Sequence, residues 1–341
     1  MGILFALLII SLFCLIITHV VFLGVNVFFW VINGIDYVTE GNTFLEIIYY
    51  SKYLKWLGLL DFIWISFFII FLIKRKHYKT DSDLHYLEER EKIESRICVI
   101  IPTFNEEQIV KNVINDYQNQ KNVHEIIVID NNSTDKTVGI AKSCGVQVIE
   151  KEFNKGLADS VIVGLTEFLK SDSNIVTITE CDGTFSGSDM EKMIPYLDNC
   201  DMVIGTRQVQ VLTEKGNQNS MFYVWGNLFI AKLLQLKYFS LTNLGIVELT
   251  DVGCSYRAIR KDSLEKIISQ LESPYAQKVI YRKKGWLFTI FLTMLGISND
   301  LKIVELPITF KKRIGISKSQ ANQKKKGLVY GLNFIWFIIS S

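Results

Sequence analysis

Two carboxylates, Glu180 and Asp182, stand one residue apart at the end of a β-branched run (residues 175–179), just before Gly183. A strand that ends this way lets both side chains reach one point in the loop beyond it. Oxygen ligands of this kind suit a hard divalent cation, which can bridge the phosphates of a nucleotide. Alone, the pair describes an acidic turn more readily than a site. The motifs around it reverse that preference.

Pro102-Thr103-Phe104-Asn105 follows an apolar run at 97–101, and its Pro-Thr lead-in can hold backbone near a nucleotide. Asn105 reads as a helix N-cap, with Gln108 three residues on. No G-x-G-x-x-G occurs there, against the pattern of a dinucleotide-binding dehydrogenase. Residues 130–135, Asp-Asn-Asn-Ser-Thr-Asp, form a polar turn in which Asp130 can accept hydrogen bonds from a base or ribose. Asn154-Lys155-Gly156 opens a helix with a lysine placed to meet phosphate. Gly205-Thr206-Arg207 brings a guanidinium to the same rim. Each motif is weak by itself.

The elements that must position these motifs are regular. Short β-rich runs at 97–101, 125–130, 146–150, 175–180 and 201–205 alternate with helical stretches such as 106–117, where Ile109, Val110, Val113, Ile114 and Tyr117 share a face. Alternation predicts right-handed crossovers and a mainly parallel α/β sheet. Ligands bind such sheets at the carboxyl ends of the strands, where every motif above lies. Residues 301–310 read as a late strand, and 286–297 as a core or interfacial helix. The aromatic-rich stretch 221–235 reads as a core helix, with a site cover or a membrane contact as the alternatives.

Taken in order, the motifs make the chain resemble the family 2 glycosyltransferases of GT-A fold, in particular the polyprenyl-phosphate sugar transferases similar to dolichol-phosphate mannose synthase. The matching pieces are Ile101-Pro-Thr-Phe-Asn-Glu-Glu107, Val128-Ile-Asp-Asn-Asn-Ser-Thr-Asp135, Asn154-Lys-Gly-Leu-Ala158, Glu180-Cys-Asp182, Gly205-Thr-Arg207, Asp251-Val-Gly-Cys-Ser-Tyr-Arg257 and Glu305-Leu-Pro-Ile308. They cover residues 97–320. The resemblance implies a Rossmann-like GT-A domain, a nucleotide-sugar donor bound with Mg2+ or Mn2+, and inversion at the anomeric carbon. Carried onto this chain, it places Pro102, Thr103, Asn105, Glu106, Asp130, Asn131, Lys155, Glu180, Cys181 and Asp182 at the donor, with Glu180 and Asp182 on the metal. Two positions depart from the family pattern. Glu180 stands for the first Asp of D-x-D, and Asn131 for the second Asp of the pair after strand two. The second departure bears on which base is recognised.

The resemblance implies a polyprenyl-phosphate acceptor, and the chemistry then follows from the residue types. A phosphate monoester is already anionic near neutral pH, its second pKa being about 6, so it needs cations for positioning and no general base. None of the four histidines (His19, His77, His85, His124) falls in a motif, whereas Arg207, Arg257 and Arg313 suit phosphate through their forked donors. The expected catalytic set is therefore Asp182, Arg207 and Asp251. The leading reading is transfer to polyprenyl phosphate. Extension of a lipid-linked or surface glycan at a hydroxyl is the alternative, and would make Asp251 the base. A tethered binding module that has lost its chemistry is a third reading, opposed by the presence of Glu180, Asp182, Arg207 and Asp251.

The 341 residues are 49% hydrophobic, unevenly distributed. From 3 to 31 the clearly polar residues are Ser11, Thr18, His19 and Asn26, a run longer than the roughly 20 apolar residues that cross a bilayer. No basic residue precedes it and no small-residue cleavage site follows, so it reads as a retained anchor and not as a signal peptide. A second run, 56–73, carries one charged residue, Asp61, and ends at Lys74-Arg75-Lys76. Basic residues beside a span favour the cytoplasmic side. The expected organisation is thus a membrane hairpin in 1–79, a charged linker at 80–95, a cytoplasmic GT-A domain at 96–320 and a basic, apolar interface tail at 321–341. The expected setting is a prokaryotic plasma membrane.

Seven basic residues lie between Lys311 and Lys326. Near anionic lipid each contributes about 1 kcal/mol of attraction. The neighbouring apolar run 328–339 favours membrane lipids over nucleic acid as the partner, while the net charge is only +2. The six cysteines lack C-x-x-C spacing, which fits a reduced compartment. The sequence is compatible with an oligomer.

Overall fold

The apolar runs become strands because most of their residues are buried on both faces of one sheet. In the computed structural model, which describes residues 2–39, 54–74, 86, 94–215, 221–238, 248–277, 285–315 and 324–341, seven strands form it. They are β1 (Ile97–Thr103), β2 (Val123–Asp130), β3 (Gln147–Glu150), β4 (Ile175–Ile178), β5 (Met202–Thr206), β6 (Arg257–Arg260) and β7 (Ile303–Pro307). Their order is β3-β2-β1-β4-β6-β5-β7. Every pairing is parallel except those of β6, which runs antiparallel between β4 and β5. This is the expected mainly parallel α/β class.

Helices α1 (Gly2–Thr39) and α2 (Leu54–Lys74) precede the sheet. Within or around it come α3 (Val110–Gln118), α4 (Thr137–Ser143), α5 (Leu157–Phe168), α6 (Gly187–Met193), α7 (Met221–Lys237), α8 (Lys261–Leu271), α9 (Phe288–Ser298) and α10 (Lys324–Ser340). α3 buries Val110, Val113, Ile114 and Tyr117, the face expected from periodicity. α5 crosses β1 so closely that a Cβ on Gly164 would lie 2.5 Å from Ile100 Cγ2. Only glycine allows that approach.

Several expectations need correction. β4 ends at Ile178, so Glu180 belongs to the following loop. β6 was not expected, since its four residues, Arg-Ala-Ile-Arg, carry no strand signature. Asn105 is not an N-cap: α3 begins at Val110, and Asn105 has a left-handed backbone, φ +52°.

The chain divides into two compact units, Met1–Lys79 with Trp336–Ser341, and Thr80–Ile335. In the first, α1 and α2 pack together, with Phe5 against Phe71 and His19 Nε2 3.7 Å from Asp61 Oδ1. His19 is thus the partner that a carboxylate in an apolar helix requires. The segments Gly2–Val25 and Leu54–Lys74 are long and apolar enough to cross a membrane. The loop at 41–49, most of the linker at 80–95 and the segment 316–323 with Lys318 lie outside the described residues.

Candidate active site

Parallel strands β1, β2, β4 and β5 deliver their carboxyl ends to one side of the sheet, and the loops beyond them are tied to one another. The Asn105 amide donates to Ser133 Oγ at 2.9 Å, and Asn105 Oδ1 accepts from the Thr134 amide at 2.8 Å. The Glu106 amide donates to Thr137 Oγ1 at 2.8 Å. The loops after β1 and β2 therefore act as one wall. Asn105 stitches that wall together, which explains its strained φ better than a cap would.

A cavity of about 750 Å3 opens against this wall. Of the residues expected at the donor, it is lined by Pro102, Thr103, Glu106, Asn131, Glu180, Cys181 and Asp182. Asp130 is buried behind them. Its Oδ2 accepts from the Ser133 amide, and its buried Oδ1 has no partner among the described residues. An orphaned carboxylate oxygen at a strand end fits a base N–H or a ribose hydroxyl. Asn131 is held at its side chain: Nδ2 donates to Asn154 Oδ1 at 2.7 Å, and Oδ1 accepts from Lys151 Nζ at 2.8 Å. Lys155 departs from expectation. Its backbone amide binds Asn131, while its side chain is exposed and off the cavity wall.

The carboxylate pair is organised by a tight turn. Gly183, at φ +76°, turns the chain immediately after Asp182, a conformation costly for any residue with a Cβ. The turn lets Thr184 donate to Asp182 Oδ1 through its amide (3.0 Å) and its hydroxyl (2.6 Å). Asp182 Oδ2 accepts from Arg313 Nη1 at 2.6 Å, and Arg313 Nη2 donates to Glu106 Oε1 at 2.7 Å. Glu180 accepts a short hydrogen bond from Ser255. Burial and the charge of Asp182 push the Glu180 carboxyl up to about 7, although Ser255 and Arg207 pull the other way. A half-buried carboxylate forced against a buried one in this way suits a cation. Cys181, between them, has its thiol pushed up to about 12 by burial, so it remains uncharged.

Among the described residues no cluster of three or more His, Cys, Asp or Glu could hold a metal. The donor set nevertheless fits Mg2+ or Mn2+, ions that take one or two carboxylates and complete their shell with water and substrate phosphate. Glu180 and Asp182 are the carboxylates on the cavity wall that could serve such an ion.

The three expected phosphate arginines separate. Arg207 and Arg313 line the cavity. Arg257 does not: it lies on β6 in the middle of the sheet, 1% exposed, donating to the carbonyls of Cys254 and Thr289. Burial pushes its guanidinium down to about 10. It is a packing residue, and its expected role at the acceptor is withdrawn. Asp251 is also off the cavity wall. Its fully buried carboxylate accepts from Arg207 Nε at 2.7 Å, from Arg207 Nη2 at 2.8 Å and from the amides of Arg207 and Gly253, both at 3.2 Å. Burial opposes its charge, but Arg207 more than compensates and holds it below the usual carboxylate range. A carboxylate so engaged orients an arginine and has no lone pair turned toward a substrate.

The other cavity wall is apolar. It is formed by Phe222, Phe229 and Ile230 of α7, Trp286 ahead of α9, and Leu328 and Leu332 of α10. α7 therefore covers the site, and Trp225 on it is 65% exposed. Ser255 and Thr184 were missed from the sequence as site residues. A hydroxyl carries no signal until the loop around it is folded.

A model described as Glycosyl transferase family 2 matches residues 98–268. A polyprenol monophosphomannose synthase from Mycolicibacterium smegmatis is 27% identical over 242 residues, 68% of this chain and 84% of that protein. A UDP-N-acetylglucosamine–dolichyl-phosphate N-acetylglucosaminyltransferase from Methanococcus voltae is 29% identical over 231 residues, 62% of this chain and 84% of that protein. Among solved structures, glucosyl-3-phosphoglycerate synthase from Mycobacterium tuberculosis, in complex with Mn2+, UDP and phosphoglyceric acid, aligns at TM-score 0.48 and 16% identity, covering 71% of this chain and 79% of that one.

Proposed function

The chain belongs to glycosyl transferase family 2, and from that premise we propose that it transfers a sugar from a nucleotide-sugar donor to polyprenyl phosphate. In this reading it is anchored in the membrane by α1 and α2 and works on the cytoplasmic face. It inverts the anomeric carbon by direct displacement. The observation that carries the reading is the polarity of the cavity: Glu180, Asp182, Arg207 and Arg313 share it with the aromatic and aliphatic wall of α7 and α10. A phosphate on a long apolar chain has that same polarity. By name, one relative makes polyprenol monophosphomannose and the other is a dolichyl-phosphate N-acetylglucosaminyltransferase, so the two differ in the sugar.

Asp130 and the wall of Pro102, Thr103 and Asn131 would hold the nucleoside. Asp182 and Glu180 would hold a divalent ion, which when bound neutralises the departing diphosphate. Arg207, fixed by Asp251, would orient the acceptor phosphate. Arg313 already bridges Asp182 and Glu106, so it can meet either phosphate at their junction. No base is required. Transfer to a hydroxyl needs one, and the candidate expected for it, Asp251, is closed off by Arg207.

The test is a panel of nucleotide sugars assayed with full-length protein, polyprenyl phosphate and Mg2+ or Mn2+. An acid-labile, lipid-linked sugar is the expected product. An acid-stable glycoside, with no transfer to the lipid phosphate, would refute the acceptor assignment.

A further inference from the structure

Glu305 lies on β7 opposite Ile204 of β5, one strand away from Arg207 and outside the cavity wall. It is half-buried, and burial pushes its carboxyl above the usual range. The charge of Arg257 reaches it, yet its place on β7 still needs an account. Its partners supply one. Oε2 accepts from the Thr250 amide at 2.7 Å and the Thr250 hydroxyl at 2.6 Å, and Oε1 accepts from the Asp251 amide at 2.9 Å. The Thr250 hydroxyl, having donated to Glu305, accepts from Thr206 Oγ1 at 2.7 Å, and Thr206 Oγ1 accepts from the Gln208 amide at 3.3 Å.

The chain neighbours of Arg207 on either side, and the carboxylate that grips its head group, are thus tied to one side chain. We propose that Glu305 is a positioning residue for sugar transfer, acting through Thr250 and Asp251 to set the guanidinium of Arg207 against the cavity. The proposal rests on the reading of Arg207 as the cation for the acceptor phosphate. Both oxygens of Glu305 must accept at once, which only a carboxylate allows. In Glu305→Gln one oxygen becomes an NH2 facing a backbone N–H, and the clasp opens on that side.

The experiment compares the full-length wild type, Glu305→Gln, Arg207→Ala and the double variant. Hydrogen exchange of the purified proteins is followed alongside transfer. Glu305→Gln is expected to lower kcat/KM for the lipid-phosphate acceptor by about 10-fold or more, with the KM of the nucleotide sugar unchanged. The double variant should be no slower than Arg207→Ala alone, because residues acting through one another are not additive. Exchange should quicken at Thr250 and Asp251 and stay unchanged in β5. Additive losses, unchanged exchange at Thr250 and Asp251, or a general rise in exchange across the sheet would each overturn the proposal. If the wild type transfers only to a sugar hydroxyl, the functional reading fails separately, and the same cycle run with that acceptor still decides the role of Glu305.

Discussion

Replacing Asp251 by asparagine leaves the side chain's size unchanged and removes its charge. The carboxylate accepts four hydrogen bonds, three of them from Arg207. Removing one partner of a buried ion pair costs about 3–5 kcal/mol because the other charge is left uncompensated. Arg207 keeps some contact with the cavity, its side chain being 19% exposed, so the lower end of that range applies. A loss of about 3 kcal/mol in stability is expected. The folded-state pKa of Asp251 lies below its ordinary value of 3.8, so this contribution is present above pH 3.8 and is lost as pH falls through the lower folded value. The melting gap between wild type and Asp251→Asn should therefore hold constant from neutrality to about pH 4 and close only in stronger acid.

For catalysis the same geometry predicts a loss of about 10- to 50-fold, that of a misaligned arginine. Arg207→Ala should be worse, about 100-fold or more, with lysine recovering only part. Removing a true general base costs about 100- to 10,000-fold. Since those ranges nearly meet, the pH profile carries the decision. With a phosphate acceptor, both proteins share one acid limb, set by the lipid phosphate near its second pKa of about 6. Transfer of radiolabelled sugar into lipid, measured across pH for both variants, is the assay. The reasoning is refuted if Asp251→Asn is the more damaging change and its residual activity lacks the acid limb of the wild type.

Asp182→Asn should abolish transfer while the melting curve stays cooperative, and Glu180→Gln should hurt less; near-normal turnover of Asp182→Asn at limiting metal would remove Asp182 from the site. Mn2+ affinity, read by titration, should fall as pH drops below about 7, because the Glu180 carboxyl, raised by burial and by Asp182 and facing Ser255 and Arg207, takes up a proton there. Affinity that is flat between about pH 8 and 6 would contradict this. A cysteine placed at 41–49 should be labelled from outside intact cells and one at Ser95 spared; labelling at Ser95 would mean that α2 does not span.

What was legible in the sequence was what depends on local pattern. The runs at β1, β2, β4 and β5 are apolar because both faces of the sheet bury them, and that shows in composition alone. β6 could not be read, because its burial comes from β4 and β5 on either side and not from its own residues. The arginines teach the same lesson. Arg207 and Arg257 each follow a short motif and look alike in sequence, but β6 carries Arg257 into the sheet, while β5 ends one residue before Arg207 and leaves it at the rim. Asn105 had the composition of a cap, yet its real partners, Ser133 and Thr134, are set by the parallel pairing of β1 with β2. Long-range pairing also decides Glu305, whose motif could be quoted from sequence but whose three hydrogen bonds exist only once β7 lies beside β5.

Glu180 bears most directly on the choice of acceptor. With its carboxyl near pH 7 and a place on the cavity wall, it is the group whose ionisation best suits proton abstraction from a hydroxyl. Asp251, held ionised by Arg207, does not compete for that role. A divalent ion would remove Glu180 from contention as well, because the ion binds the deprotonated carboxylate and occupies the lone pairs that a base needs. Metal and base are therefore exclusive uses of one side chain. A hydroxyl-directed mechanism through Glu180 would be slowed by saturating Mn2+, whereas a phosphate-directed one would require it. The dependence of rate on metal thus reports on the acceptor as well as on the donor.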